Sequence, residues 1–216
     1  MRYAILSFTF AFLGLCAIAK SQAQNEPQKA TSPQSGQQYF PTGVFEENGQ
    51  LSSNKENWYS YFLTALGEPS LLEAAKANDT SAYRLLLLTW NGRALSVRLT
   101  LCGDGTGLLE GKLVTFHSGK SIYAKDRVAV STDQLQQFDS LLRKADFWSM
   151  KTEETHAKNV YQMDGTRWVL EGTKNRTYHV VDRWSPRGTE YEKLCKFLME
   201  LSPVKLDQDV RSKNGS

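Results

Sequence analysis

The sequence predicts an α+β domain with an antiparallel sheet of about six strands, and three observations carry that prediction. Asn91-Gly92 sits between two apolar runs, residues 83–90 and 93–101, which is a strong hairpin signal. Two further strand-like runs, 166–172 and 177–184, follow a helical stretch. Three amphipathic stretches open at capping-box spacing: Ser53 with Glu56, Ser131 with Gln134, and Thr189 with Glu192. Consecutive strands joined by short turns pair antiparallel. The expected order is two N-terminal helices, a four-strand meander, a helix, a hairpin and a last helix, with helices packed on one face of the sheet.

Each element has its own reason. Residues 53–66 place Trp58, Tyr61, Phe62, Ala65 and Leu66 on one helical face, and Gly67 ends the run. Pro69 opens a second short helix with Leu71, Leu72 and Ala75 inward. A two-residue loop at Asn91-Gly92 pairs Leu86 with Val97 and Leu88 with Leu95. That register puts Leu86, Leu88, Leu95, Val97 and Leu99 on one face, Arg84 at its rim, and Ser96 and Arg98 on the other. The turn Cys102-Gly103-Asp104-Gly105-Thr106-Gly107 is expected to hold an odd number of residues with a glycine at positive φ. Only then do Leu109 and Leu113 join the leucine face instead of Glu110 and Lys112. Residues 121–130 form the next strand. Leu135, Phe138, Leu141, Leu142 and Ala145 then give an amphipathic helix ending near Asp146-Phe147-Trp148. Residues 151–159 are polar and expected to be a mobile loop. A four-residue loop in the second hairpin sets Arg167 opposite Asp182, Trp168 opposite Val181 and Val169 opposite Val180. Tyr191, Leu194, Cys195, Leu198 and Leu201 form the stripe of the last helix.

The N-terminus reads as an export signal. Arg2 precedes an apolar stretch over residues 5–19, and Ser21-Gln22-Ala23 offers small residues for cleavage. The expected organisation is a signal peptide over 1–23, a flexible linker over 24–38, a single domain over 39–202 and a disordered tail over 203–216. The expected setting is therefore periplasmic or secreted, with no transmembrane span left after cleavage. Leu15 before Cys16 argues against a lipoprotein signal. In 216 residues, 40% are apolar, which is enough bulk for a core and excludes a wholly disordered chain. The formal charge of +3 falls to +1 once Arg2 and Lys20 are removed with the signal, since 24 − 23 = +1. That balance supplies no electrostatic case for nucleic acid or an anionic membrane. A monomer is expected, and its partner, a protein or a small molecule, is left open.

The chemistry-bearing residues are few. Cys102 and Cys195 permit one disulfide in an oxidising compartment, or two separate buried thiols. No paired Cys/His spacing suggests a metal, and His117 and His156 are isolated. The glycines of residues 103–107 lack the lysine and following helix of a phosphate loop, so no cofactor is expected. Tyr178, His179, Asp182, Arg183, Trp184 and Ser185 form the densest polar cluster. Strand alternation puts Tyr178, Val180, Asp182 and Trp184 on one face and His179, Val181 and Arg183 on the other. His179 and Asp182 cannot then form a catalytic dyad within the strand. The simpler reading is a cross-strand Arg167–Asp182 pair with aromatic packing. The functional reading is a recognition patch of His179, Asp182, Arg183 and Trp184 for an anionic or planar ligand.

The run Asp164-Gly165-Thr166-Arg167-Trp168, then Glu171-Gly172, then Tyr178-His179-Val180-Val181-Asp182-Arg183-Trp184-Ser185-Pro186 and Leu194-Cys195 resembles a pattern in an uncharacterised family of bacterial exported proteins. The turn at 102–107 and Phe147-Trp148 belong to the same pattern, which spans about residues 83–202. The resemblance implies a bacterial envelope setting and no particular activity. The expected function is a non-catalytic binding or interaction domain, with a hydrolase whose site is built from loops as the alternative.

Overall fold

The computed structural model describes residues 37–47, 50–51, 53–77, 81–117, 120–154 and 165–206. The expected signal peptide, almost all of the linker, and His156 lie outside the described residues, as does the side chain of His117. A short hairpin, β1 (Glu46–Glu47) and β2 (Gln50–Leu51), precedes α1 (Ser53–Ala65) and α2 (Leu71–Ala77). The meander follows as β3 (Ala82–Thr89), β4 (Arg93–Leu101), β5 (Gly107–His117) and β6 (Lys120–Val130). Helix α3 (Thr132–Lys144) and a short 3-10 turn (Phe147–Ser149) lead to β7 (Thr166–Lys174), β8 (Thr177–Trp184) and α4 (Glu190–Leu201). The six strands form one open antiparallel sheet in the order β6-β5-β4-β3-β7-β8. Among the described residues no helix is long and apolar enough to cross a membrane.

The sheet is covered on both faces. Leu85, Leu87, Leu95, Val97, Leu99, Leu109, Leu113, Leu170 and Val181 pack with α3 and α4. Leu86, Leu88, Ala94, Val114, Val169 and Val180 pack on the other side with α1 and with Tyr39, Phe40 and Phe45. The later helices thus share one face, and the N-terminal segment takes the opposite one. A central strand buried on both sides reads as a continuous apolar run, which explains the four leucines at 85–88.

The first hairpin departs from the expected register by one residue. Leu85 pairs with Val97, Leu86 with Ser96, Leu87 with Leu95 and Leu88 with Ala94. A two-residue turn of the expected kind needs positive φ at both central residues, and only Gly92 supplies it, at 77°. The turn is instead Trp90-Asn91-Gly92, closed by the Thr89 hydroxyl, which accepts from Arg93 N–H at 3.1 Å. A one-residue slip exchanges the faces of a strand. Leu86 and Leu88 leave the leucine face to Leu85 and Leu87, and Arg84 moves opposite Arg98. Apolar alternation could not choose between these registers, because residues 85–88 bury a leucine on each face in both.

The second turn is odd, as expected. Leu101 pairs with Gly107 across five residues, Gly105 has φ 80°, and Leu109 and Leu113 lie on the leucine face. In the second hairpin the expected four-residue loop tightens to Asn175-Arg176, both at positive φ (51° and 60°). Arg167 therefore opposes Trp184, Trp168 opposes Arg183 and Val169 opposes Asp182. This slip is by two residues, so every side chain keeps its expected face.

The stripe of α1 is also rotated. Tyr59, Phe62, Leu63 and Leu66 are buried, whereas Trp58 and Tyr61 are 42% and 55% exposed. The Tyr59 hydroxyl donates to Asp182 Oδ2 at 2.9 Å, which turns that face of the helix toward the sheet. The caps of α3 and α4 hold, and the Ser53 side chain expected to cap α1 lies outside the described residues. Ser131 and Gln134 bond each other's backbone N–H, and Thr189 Oγ1 accepts from Glu192 N–H. Each such cap contributes about 1 kcal/mol. Gly172 leaves the space that Phe147 fills, since a Cβ there would lie 2.8 Å from the Phe147 ring.

Two expectations about the chain's loose parts are corrected, and the open question of the two cysteines is answered. Residues 151–154 of the expected mobile loop dock on the edge of β8, where Asp182 N–H donates to Thr152 O at 2.7 Å; 155–159 lie outside the described residues. The packed chain runs past residue 202, because Val204 is buried over Gly111 and Arg93 donates to Leu206 O. The remaining tail, 207–216, lies outside the described residues. Cys102 and Cys195 form no disulfide. Cys195 is buried on the inner stripe of α4, and Cys102 starts the β4–β5 turn.

Candidate functional site

The α1-facing side of the sheet carries a buried charge network. Arg84 is fully buried and donates through Nε and Nη2 to Glu171 Oε2 at 2.8 and 2.6 Å. Its Nη1 donates to Pro69 O. Tyr178 Oη donates to the other oxygen of Glu171 at 2.8 Å. Glu68, in the turn between α1 and α2, reaches down between Arg98 (2.9 Å), Lys112 (2.8 Å) and Arg84 (3.5 Å). Glu110 joins Arg98, Lys112 and Lys125 at the rim. Burial pushes the Glu68 carboxyl up, but Arg84, Arg98 and Lys112 outweigh it and hold it below the ordinary carboxylate value. For Glu171 burial prevails over Arg84 and its pKa is raised.

These two directions have opposite consequences for stability. Glu68 contributes stability that is present above the unfolded glutamate pKa and is lost as pH falls through its lowered folded value. Glu171, with a raised folded value, costs stability above that value and relieves the cost on acidification. Glu68→Gln is expected to lower stability at pH 7 and to flatten the loss between pH 5 and 3. Urea midpoints at three pH values check this. A variant as steep as the parent would place the acid sensitivity elsewhere.

The four residues expected to bind a ligand divide between the two faces, as strand alternation requires. Asp182 is buried on the α1 side, with Tyr59 Oη at 2.9 Å, Arg167 Nη1 at 3.4 Å and Lys55 Nζ at 3.7 Å. Burial raises its pKa, against Arg167, Lys55 and the Tyr59 hydrogen bond. The Arg167–Asp182 pair is thus present, on a diagonal rather than directly across. Trp184 lies on the same side, with the Arg167 guanidinium 4.9 Å from its ring centroid. His179 points the other way, packed on Phe147 (5.0 Å) and Trp148 (6.1 Å). Its burial lowers the imidazole pKa. Arg183, on that same side, is spent on the chain itself. It donates to Thr152 O, Asp182 O and Lys151 O at 3.0, 2.7 and 2.9 Å, and pairs with Glu154 at 3.1 Å. Its guanidinium also lies 5.7 Å from the centre of the Tyr191 ring. The four side chains therefore form no common patch, and His179 and Asp182 do not meet. Cys195 is fully buried on the inner stripe of α4, and that burial raises its thiol pKa.

What reaches solvent instead is an aromatic ridge. Trp58 packs edge-on against Phe62 at 5.7 Å, Phe62 against Phe116 at 5.8 Å, and Tyr61 lies over Phe116 at 5.6 Å. Trp90 is 77% exposed in the β3–β4 turn, whose Gly92 O accepts from Phe116 N–H. Among the described residues, Trp58, Tyr61, Trp90 and Val128 are the exposed large apolar side chains. The sequence reading assigned Trp58 and Tyr61 to the core. The available signal was Trp90, an aromatic at a hairpin tip with no core to enter.

Fold and surface together define an open antiparallel α+β domain whose buried ionisable groups are paired off and whose aromatic surplus faces solvent. No family model matches the chain, and no curated protein or solved structure matches it.

Proposed function

We propose that this protein is an exported bacterial domain of the envelope or secretome that binds a protein partner without catalysis, through the ridge of Trp58, Tyr61, Phe116 and Trp90. The observation that carries the reading is the exposure of Trp58, Tyr61 and Trp90, with Tyr61 over the half-buried Phe116 and Trp90 in the turn whose Gly92 O bonds Phe116 N–H. Exposed apolar area costs about 25 cal/mol per Å2, and Trp and Tyr dominate the energetics of protein interfaces. None of the four side chains is charged, which is the composition of an interface centre. A hydrolase would need an acid and a base sharing a cleft. Here the carboxylates with raised pKa values, Asp182 and Glu171, are buried and held by Tyr59, Arg167, Arg84 and Tyr178.

The test uses the full chain expressed with its own N-terminus. A photo-crosslinking residue at Asn91 is expected to give one discrete adduct in intact cells, on a mature chain that begins at Gln24. Trp90→Ser is expected to abolish the adduct while changing stability by less than about 0.5 kcal/mol, as exposed positions do, and Tyr61→Ser to abolish it at a cost of about 1 kcal/mol, because its ring packs on Phe62 and Phe116. An adduct that survives both substitutions, or a chain retained uncleaved in the cytoplasm, would refute the reading.

A further inference from the structure

On the opposite face, where β3 begins and β4 and β7 end, α3 stands off the sheet and leaves a cleft of about 240 Å3. Its walls are Leu101, Leu135, Phe138 and Leu142, with Tyr83 packed on Phe138 at 4.9 Å. Charge sits at the mouth. Asp139 is there, and Arg143 one turn along the helix pairs with it. Lys174 is there too, exposed, and among the described residues no carboxylate pairs with it. The cleft is therefore apolar at its walls, with Thr132 and Gln136 beside them, and among the described residues Lys174 is the one cation in its lining, Asp139 being paired with Arg143 outside it.

The geometry points to a binding site for a small monocarboxylate with an apolar tail, the tail between α3 and the sheet end and the carboxylate on Lys174. Size sets the class. A dry cavity of about 150 Å3 accepts benzene, so this cleft takes a tail of about eight to ten carbons, not a long lipid chain. An apolar wall with one convergent charge is how small-ligand sites fix orientation. This site is separate from the aromatic ridge and stands whether or not the ridge binds a protein.

Calorimetric titration of the full chain with octanoate, 1-octanol and octylamine tests it. Octanoate is expected to bind saturably at one site, at least tenfold more tightly than the other two. Lys174→Gln, at an exposed position that leaves the fold intact, is expected to weaken octanoate about tenfold and leave 1-octanol unchanged. Leu135→Trp, which fills the cleft, is expected to remove binding of both. Failure of octanoate to saturate would overturn the proposal, as would equal affinity for octylamine or undiminished binding in both variants.

Discussion

Arg84→Met is expected to destabilise the protein by about 3–5 kcal/mol, the range for breaking a buried ion pair by removing one partner. The guanidinium is fully enclosed, and three of its nitrogens are committed, two to Glu171 and one to Pro69 O. Removing it leaves the Glu171 carboxylate buried with only the Tyr178 hydroxyl, and takes one of three cations from Glu68. Glu171 already has a raised pKa and would protonate at still higher pH. The variant should therefore recover part of its loss on mild acidification. The double variant Arg84→Met/Glu171→Leu should recover more, because an apolar pair of similar volume avoids the desolvation cost altogether. It should still fall short by about 1–2 kcal/mol, since Tyr178 loses its acceptor. Urea unfolding of the two variants at pH 7 and pH 5 measures all of this. A single variant within 1 kcal/mol of the parent would mean that the network is not a dry one.

Arg183→Ala is expected to cost about 2–4 kcal/mol, because charge-assisted hydrogen bonds are worth about 1.5–3 kcal/mol each and this side chain makes several. Its fork joins the carbonyls of Lys151 and Thr152 to β8, beside the Asp182 N–H that also bonds Thr152 O. Those bonds hold the return of the chain against the free edge of the sheet, where exposed backbone groups otherwise invite foreign strands. Arg183→Lys is expected to rescue less than half, since a point ammonium cannot span two carbonyls as the planar fork does. Hydrogen exchange at Asp182 N–H supplies the second readout and should accelerate in both variants. Unchanged stability and unchanged exchange would release Arg183 for ligand recognition after all. His179→Ala should cost less, about 1–2 kcal/mol, because the half-buried ring contributes contacts with Phe147 and Trp148 and few hydrogen bonds.

Much of this architecture is legible in short stretches of chain. Capping spacings, the leucine stripes of α3 and α4, and the pairing of neighbouring strands are consequences of residues a few positions apart. The opposed faces of His179 and Asp182 are equally local, because strand alternation needs no partner. The candidate site is less legible. Trp58 and Tyr61 fit the core stripe of α1 as well as Tyr59 and Leu63 do, and the choice between them depends on an aspartate 123 positions away in sequence.

The limit is clearest at Arg84. Apart from the short β1–β2 hairpin, which is not among the expected elements, element type and order, the caps of α3 and α4 and the odd length of the turn after Leu101 follow from local conformational preference and apolar periodicity, so the order of residues alone suffices for them. Four successive leucines carry no information about which way a strand faces, and the lack of a positive φ at Asn91 tips the balance. Folding then places Arg84 beside Arg98 instead of at the edge of a leucine surface. Two like charges side by side are tolerable only because Glu68 and Glu171, from other parts of the chain, arrive to neutralise them. Pairing of buried charge is a long-range condition, met by the assembled sheet and helices together, and no window along the chain contains it.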